Sequence, residues 1–246
     1  DDKLIIDWNE NPPHRSIYSI PWLLNHISNS QPDSLKNPVI VWDKAQLDSN
    51  TVGKFDPNIC SQETWMNQLL KFGFVILRNI CADEFEAFLS SLGELIHAPG
   101  YQGIEYVRID PNHRKEQFRT DASLAPHIDY GYRSHKHRTA QFLYCAENSV
   151  SGGESLLVDG FRVAEDLRHK YPDYFQILAE TPVNFLRIQH EEEYFYPPTS
   201  PIFELDRQEN IVGIRFCDRN CIPIYPFEQM ERFYKAYEIL ISEYLN

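Results

Sequence analysis

The sequence predicts an α+β fold that is mainly β, with a jelly-roll core and flanking helices. Two amphipathic helical segments precede Tyr101. From that residue onward, short β-type runs are divided by Gly, Pro, Asn and Asp, with helical segments between and after them. Many short strands separated by turn residues are typical of a jelly roll, and helices outside such a core act as buttresses. A length of 246 residues suits one large domain, alone or with a small appendage.

The N-terminal part predicts short strands and two helices. Residues 3–27 follow a strand, turn, strand, helix pattern, and "NPVIVWD" (37–43) is a further β-type run before a polar linker over 43–57. In "SQETWMNQLLKFG", Ser61 is a suitable helix N-cap and Gly73 lies at the C-terminal end. The continuous apolar run "FVILRNI" indicates a buried strand, and "ADEFEAFLSSLGEL" indicates a second amphipathic helix.

The C-terminal part predicts more strands between longer helices. "AQFLYCAE" and "ESLLVDG" are predicted strands joined by "NSVSGG". "FRVAEDLRHKYPDYFQILAET" is predicted to be helical with a break at Pro172, because proline interrupts a helix interior. "SPIFELDRQENIVGIRFCD" predicts a hairpin that turns around Arg207–Asn210, and "YPFEQMERFYKAYEILISEYLN" a closing amphipathic helix.

Composition excludes several classes of function. A formal charge of −13 argues against nucleic-acid binding, which needs a clustered positive surface. The longest apolar runs are strand-sized, so neither a membrane span nor a secretory signal is predicted. The five cysteines are an odd number without a C-x-x-C pair, which favours reduced thiols in a cytoplasmic protein over a disulfide framework.

The segment "PHIDYGYRSHKHRTAQF" carries the strongest sign of chemistry. If it is extended, His127 and Asp129 project to one face, because strand side chains alternate. One imidazole and one carboxylate form part of the 2-His-1-carboxylate triad that binds Fe(II). An H-x-D triplet alone also arises by chance in many chains. His135 and His137 share this spacing, but Lys136 between them repels a cation and is typical of a solvated loop.

The surrounding residues resemble a known family. "QFLYC" and "GGESLLVDGF" match the motifs that follow the H-x-D in the γ-butyrobetaine and trimethyllysine dioxygenase branch of the TauD-like Fe(II)/2-oxoglutarate oxygenases. "FDPNICSQETWMNQLLKFGFVILRNI" and "IFELDRQENIVGIRFCDRNCIPI" are similar to further segments of that branch. The resemblance implies a double-stranded β-helix (jelly-roll) oxygenase domain over 51–246. It also implies that 1–50 hold the end of a small N-terminal accessory domain and a linker.

The resemblance implies Fe(II), 2-oxoglutarate and O2 as cofactor and cosubstrates, with His127 and Asp129 as metal ligands and no catalytic residue beyond them. Ser155 then lies near the 2-oxoglutarate carboxylate, and Phe142 and Leu143 form an apolar wall. The second metal histidine and the arginine that binds 2-oxoglutarate are expected beyond Asn246. A homodimer is compatible with the branch.

Two departures from the family bear on the substrate. Tyr130 matches an aromatic position on the substrate side, but Arg119 stands where the branch has a tyrosine, and Cys217 and Asp218 replace a pair of asparagines. Arginine repels a quaternary ammonium and attracts carboxylates. The predicted substrate is therefore a small anionic or zwitterionic metabolite. His14 matches a structural zinc ligand of the branch, but the cysteines that accompany it there are not in this sequence.

Two other functions remain open on the sequence. The first is a truncated, non-catalytic relative that binds a metabolite or a partner. The second is a zinc-dependent hydrolase that uses His127, Asp129 and His135. Halogenation is disfavoured, because halogenating relatives lack the carboxylate at the position of Asp129.

Overall fold

The computed structural model describes residues 2–23, 40–47, 52–95, 104, 106–108, 123–129, 140–148, 151–189, 192–217, 221–222 and 226–245. These residues form a mixture of helix and strand rather than a mainly β structure. Their strands belong to four separate sheets of two or three strands, and within the described ranges no sheet closes into a barrel. The mixed α and β content is confirmed, whereas the jelly roll itself stays a prediction from the sequence.

The N-terminal segment is a β-hairpin. Strands β1 (Lys3–Trp8) and β2 (His14–Ser19) pair antiparallel with Lys3 opposite Ser19 and Trp8 opposite His14. Residues 20–23 are helical, so the predicted strand, turn, strand, helix order is confirmed as far as the described residues extend.

Two helices follow, and each matches its prediction. Helix α1 (Gln62–Phe72) begins at Ser61, whose side chain accepts a hydrogen bond from the Thr64 N–H, and ends at Gly73 in the left-handed conformation. Helix α2 (Phe85–Leu92) continues from a short 3-10 turn over Ala82–Glu84. The side chain of Trp65 is buried between them and contacts Phe88, with ring centroids 6.2 Å apart.

The run "FVILRNI" is strand only at β4 (Ile76–Leu77), which pairs parallel with β3 (Lys54–Phe55). Neither strand of this pair is buried, so the predicted long buried strand is wrong. A strand needs a partner along its whole length, and β3 offers only two residues.

The largest core lies between the C-terminal helices and strands. Helices α3 (Gly160–Lys170) and α4 (Pro172–Glu180) meet at Tyr171, as the proline predicts, and α5 (Phe227–Tyr244) packs against α4. β5 (Val183–Gln189) pairs with β6 (Glu192–Ser200) and β9 (Cys221–Ile222), while β7 (Phe203–Leu205) and β8 (Ile211–Ile214) form the predicted hairpin. The fully buried side chains of this core include Leu167, Leu178, Val183, Ile202, Phe203 and Phe233.

Residues 140–148 and 151–159 have irregular backbone where the sequence predicts two strands. Their apolar side chains are exposed: Leu143 is 76% and Leu156 is 81% accessible. An apolar run becomes a strand only through ladder hydrogen bonds with a neighbour, and in the described residues neither segment has such a ladder. None of the described helices is long and apolar enough to cross a bilayer.

Candidate metal centre

His127 and Asp129 lie side by side in a turn. The distance from His127 Nε2 to Asp129 Oδ1 is 3.4 Å. The backbone here is irregular rather than the predicted extended strand, yet the two side chains still converge. Their side chains are 23% and 42% exposed, so a small ion or molecule can approach both donors.

A main-chain hydrogen bond fixes this turn to the core. The Ile128 N–H, between the two candidate ligands, donates to the Phe216 carbonyl at 2.7 Å. Phe216 is buried and stacks on Tyr237 of α5, with ring centroids 5.4 Å apart. The position of the H-x-D turn therefore depends on the packing of the segment that follows β8.

An ion pair between a buried arginine and a half-buried glutamate lies next to this anchor. Arg215, which precedes Phe216, is 3% exposed, and its Nη2 lies 3.6 Å from Glu204 Oε2 on β7. Burial lowers the pKa of the Arg215 guanidinium from its ordinary value, and the Glu204 carboxylate opposes that change. Since a buried charge is costly without a counter-charge, the pair ties β7 to the end of the β8 segment.

A second hydrogen bond sets the tautomer of His127. Its Nδ1 lies 2.8 Å from the Ala125 carbonyl oxygen. A carbonyl can only accept a hydrogen bond, so Nδ1 carries the proton. In the neutral ring Nε2 then holds the lone pair, and Nε2 is the atom that faces Asp129. Metal-binding histidines commonly have this arrangement, in which one nitrogen donates to the protein and the other binds the ion.

Gln141 is a site residue that the sequence reasoning missed. Its Nε2 donates to Asp129 Oδ2 at 2.8 Å. Three residues later, the Tyr144 hydroxyl donates to the Ile80 carbonyl at 3.1 Å, and its ring lies 4.7 Å from that of Phe85. The segment 140–148 is thus held between α2 and the H-x-D turn. In the sequence, this contact is indicated only by the polar Gln141 at the start of the apolar run "QFLYC".

The donor set fits a divalent metal ion. Two ligands that bind one ion through bonds of about 2.1 Å at roughly right angles have donor atoms about 3 Å apart. The observed 3.4 Å is close to that separation. A nitrogen and a carboxylate oxygen suit a borderline ion such as Fe(II). Among the described residues, no third His, Cys, Asp or Glu joins them in a metal-binding group.

The other predicted site residues are only partly described. Phe142 follows Gln141 and is 36% exposed. Leu143 and Ser155 are also exposed, in irregular backbone, so Phe142 and Leu143 do not form a closed wall among the described residues. Tyr130 and Arg119 lie outside the described residues, as do His135 and His137.

His14, the candidate zinc ligand, has ordinary surface contacts. It lies on β2, its ring stacks on Trp8 with centroids 5.9 Å apart, and its Nδ1 is 3.2 Å from Glu10 Oε2. The cysteines Cys60, Cys81 and Cys145 are free thiols.

Comparison with known proteins identifies similar chains. The chicken (Gallus gallus) mitochondrial trimethyllysine dioxygenase is 24% identical over 251 residues, which are 98% of this chain and 59% of the relative. The human γ-butyrobetaine dioxygenase is 27% identical over 95% of this chain and 62% of its own length. The γ-butyrobetaine dioxygenase of Pseudomonas sp. (strain AK-1) is 25% identical over 98% of this chain and 63% of its own length. The chain thus spans about three fifths of the length of these relatives.

A family comparison covers most of the chain. Residues 45–244 match the family described as "Taurine catabolism dioxygenase TauD, TfdA family". This match includes the H-x-D turn, Gln141 and the whole C-terminal core. The family implies a jelly-roll core and a dioxygenase that uses Fe(II), 2-oxoglutarate and O2. The chain belongs to the TauD/TfdA family of dioxygenases.

Proposed function

We propose that the protein is an Fe(II)- and 2-oxoglutarate-dependent dioxygenase that hydroxylates a small anionic or zwitterionic metabolite. The supporting observation is the approach of His127 Nε2 to Asp129 Oδ1, 3.4 Å apart, in a chain of the TauD/TfdA family. In the net reaction, a substrate C–H group, 2-oxoglutarate and O2 give the substrate alcohol, succinate and CO2.

His127 and Asp129 are the residues that hold the iron in this proposal. The bound iron, together with 2-oxoglutarate, supplies the O2 activation that side chains alone cannot perform. The protein's own contribution is orientation. The Ala125 carbonyl holds the His127 ring with Nε2 toward Asp129, and the Phe216 carbonyl holds the backbone between the two ligands. The tautomer of His127 and the backbone between the two ligands therefore need not change when the ion binds.

Segments 140–148 and 151–159 hold the residues that we assign to 2-oxoglutarate. Ser155 offers a hydroxyl donor to its carboxylate, and Phe142 and Leu143 offer apolar surface to its methylene groups. Their present exposure leaves room for a ligand to cover them. Since buried apolar surface stabilises a complex by about 25 cal/mol per Å2, covering these side chains favours binding of the cosubstrate.

We assign Arg119 and Tyr130 to the substrate side. The relatives named above act on a trimethylated lysine or on a betaine, according to their names. An arginine opposes a quaternary ammonium group and binds a carboxylate with paired hydrogen bonds. The free thiols of Cys60, Cys81 and Cys145 are compatible with a reducing compartment, and we place the protein in the cytoplasm.

The test is succinate release by the full-length protein under air with Fe(II), ascorbate and 2-oxoglutarate. We expect release to be stimulated by small carboxylates or amino acids more than by trimethylammonium compounds. Omission of Fe(II) or its replacement by Zn(II) should stop it. Absence of succinate release from iron-loaded protein across such a panel contradicts the proposal, and zinc-dependent hydrolysis in its place supports the hydrolase alternative.

A further inference from the structure

We infer that Gln141 is a positioning residue that restricts Asp129 to metal binding through a single oxygen. The inference rests on the proposed function, because it concerns how the iron ligand is presented. Its basis is the different surroundings of the two carboxylate oxygens of Asp129. Oδ1 faces His127 Nε2 at 3.4 Å, whereas Oδ2 accepts the amide N–H of Gln141 at 2.8 Å.

The Gln141 bond fixes the rotation of the carboxylate. An amide donor at 2.8 Å from an anionic oxygen is a charge-assisted hydrogen bond, which is stronger than a neutral one. Turning the carboxylate so that both oxygens face one ion requires that bond to break. The amide therefore holds Oδ1 on the His127 side and Oδ2 on the opposite side.

The segment that carries Gln141 is anchored by contacts that lie away from the H-x-D turn. It lies twelve positions after Asp129, on the segment whose Tyr144 hydroxyl donates to the Ile80 carbonyl at 3.1 Å. The Tyr144 ring packs against Phe85 of α2. The orientation of the Asp129 carboxylate therefore depends on a second part of the fold, independent of the Ile128 to Phe216 anchor.

Single-oxygen binding matters because of the number of ligands that the reaction needs. A facial triad leaves three positions of an octahedral ion open. A chelating 2-oxo acid would occupy two of them and O2 the third. A second oxygen from Asp129 would then compete with the 2-oxo acid. We expect Gln141 to protect 2-oxoglutarate binding rather than metal binding.

The test compares Gln141→Met with wild type in the full-length protein under anaerobic conditions. Methionine is similar in length and has no amide donor. Mn(II) affinity is measured by electron paramagnetic resonance, and 2-oxoglutarate affinity by titration of the Fe(II)-loaded protein, followed by its charge-transfer absorption. We expect Mn(II) affinity to stay within about threefold of wild type while 2-oxoglutarate binds about tenfold more weakly, because Asp129 keeps both of its oxygen donors when the amide N–H is removed.

The control is Gln176→Met. Gln176 Nε2 donates to Glu180 Oε1 at 2.9 Å on α4, so this variant loses the same kind of bond in a different part of the fold. It should leave both affinities unchanged. Equal 2-oxoglutarate affinity in Gln141→Met and wild type overturns the inference. A parallel fall of metal affinity and 2-oxoglutarate affinity overturns it too, because it shows a general supporting role. If wild type itself binds neither Fe(II) nor 2-oxoglutarate, the proposed function fails instead.

Discussion

Single carboxylates hold several turns of the fold through their hydrogen bonds. Asp129 Oδ2 accepts the Gln141 amide N–H, whereas Asp159 and Asp206 each accept hydrogen bonds through both oxygens. These bonds organise the H-x-D turn, the start of α3 and the turn between β7 and β8. Such side-chain to backbone bonds replace secondary structure in turns.

The hydrogen bonds of Asp206 predict how the stability of the fold depends on pH. Its pKa lies below the ordinary value of 3.8, mainly because the Asn210 side-chain amide donates to it, with further bonds from the Asn210 and Gln208 N–H groups. A lowered folded-state pKa stabilises the fold above the unfolded value, and this stability is lost as pH falls through the folded value. Asp206→Asn should have a lower free energy of unfolding than wild type at pH 7, and the difference should become smaller below about pH 4. Urea denaturation from pH 7 to pH 3 measures this difference. A difference that stays constant over that range contradicts the stabilising role of the ionised Asp206.

The approach of His127 to Asp129 could be predicted from the sequence, whereas the contact of Asp129 with Gln141 could not. An i, i+2 pair of donors is a local pattern and survives even though the backbone is a turn rather than a strand. The partner of Asp129 Oδ2 is twelve residues away, and its approach depends on how the segment 140–148 is held by the contacts of Tyr144 with Ile80 and Phe85. Contacts of this kind follow from packing, which a motif does not encode.

At the element scale, Gly73 ends helix α1 by a backbone conformation that other residues rarely adopt. Its φ is 79°, and its N–H donates to the Leu69 carbonyl at 2.8 Å. A Cβ at this position meets no atom within 4 Å, so only backbone strain opposes a side chain. Gly73→Ala should therefore reduce the free energy of unfolding by about 1 kcal/mol.

Gly93, which follows α2, is the matched control for that measurement. It also has open space around a Cβ, but its φ of 164° is extended backbone. Gly93→Ala should change the free energy of unfolding by less than about 0.5 kcal/mol. Equal losses in both variants by chemical denaturation rule out the left-handed cap as the cause.

Helices and the two hairpins β1–β2 and β7–β8 were predictable because their signals are local, whereas the extents of two other predicted strands were not, because strand partners can be distant in sequence. Ser61, Gly73, Asp159 and Pro172 each lie within a turn of the helix end that they define. "FVILRNI" and "AQFLYCAE" have strand-like composition, but only Ile76 and Leu77 find a ladder partner in the described residues. β propensity reflects fit to a neighbouring strand, so composition alone overestimates strand length.

At the scale of the whole molecule, a short strap over residues 40–43 joins two helices that are far apart in sequence. The Ile40 N–H and the Trp42 indole N–H donate to the carbonyls of Lys71 and Phe72 at the end of α1, both at 2.9 Å. The Trp42 main-chain N–H donates to Asp159 Oδ2 at 2.8 Å. The predicted strand over "NPVIVWD" is therefore wrong for its described part, because these donors bind helix ends instead of a neighbouring strand.

Asp159 allows the strap to be tested apart from the helix cap. Its Oδ1 accepts the N–H groups of Phe161 and Arg162 at the start of α3, while its Oδ2 accepts the Trp42 N–H. Asp159→Asn keeps an oxygen for the cap and replaces the other acceptor by an amide donor. It should cost about 1 kcal/mol and speed tryptic cleavage at Lys44, whereas Asp159→Ala should cost about 2 kcal/mol.

The two variants are compared by urea denaturation and limited trypsin digestion. If Asp159→Asn equals wild type in both measurements, Asp159 acts on α3 alone and the strap does not contribute. The domain boundary predicted at residue 50 stays a prediction. The strap contacts show that residues 40–43 pack on helices of the following part.

The proposed function requires that the turn containing His127 binds iron. The most direct measurement is Fe(II) binding by the full-length protein and by two histidine variants. His169→Ala is the control, since His169 Nδ1 also lies against a main-chain carbonyl, that of Glu165 at 2.7 Å, but on helix α3. We predict that His127→Ala abolishes Fe(II) binding while His169→Ala binds as wild type does. Iron occupancy in His127→Ala equal to that of wild type contradicts the account.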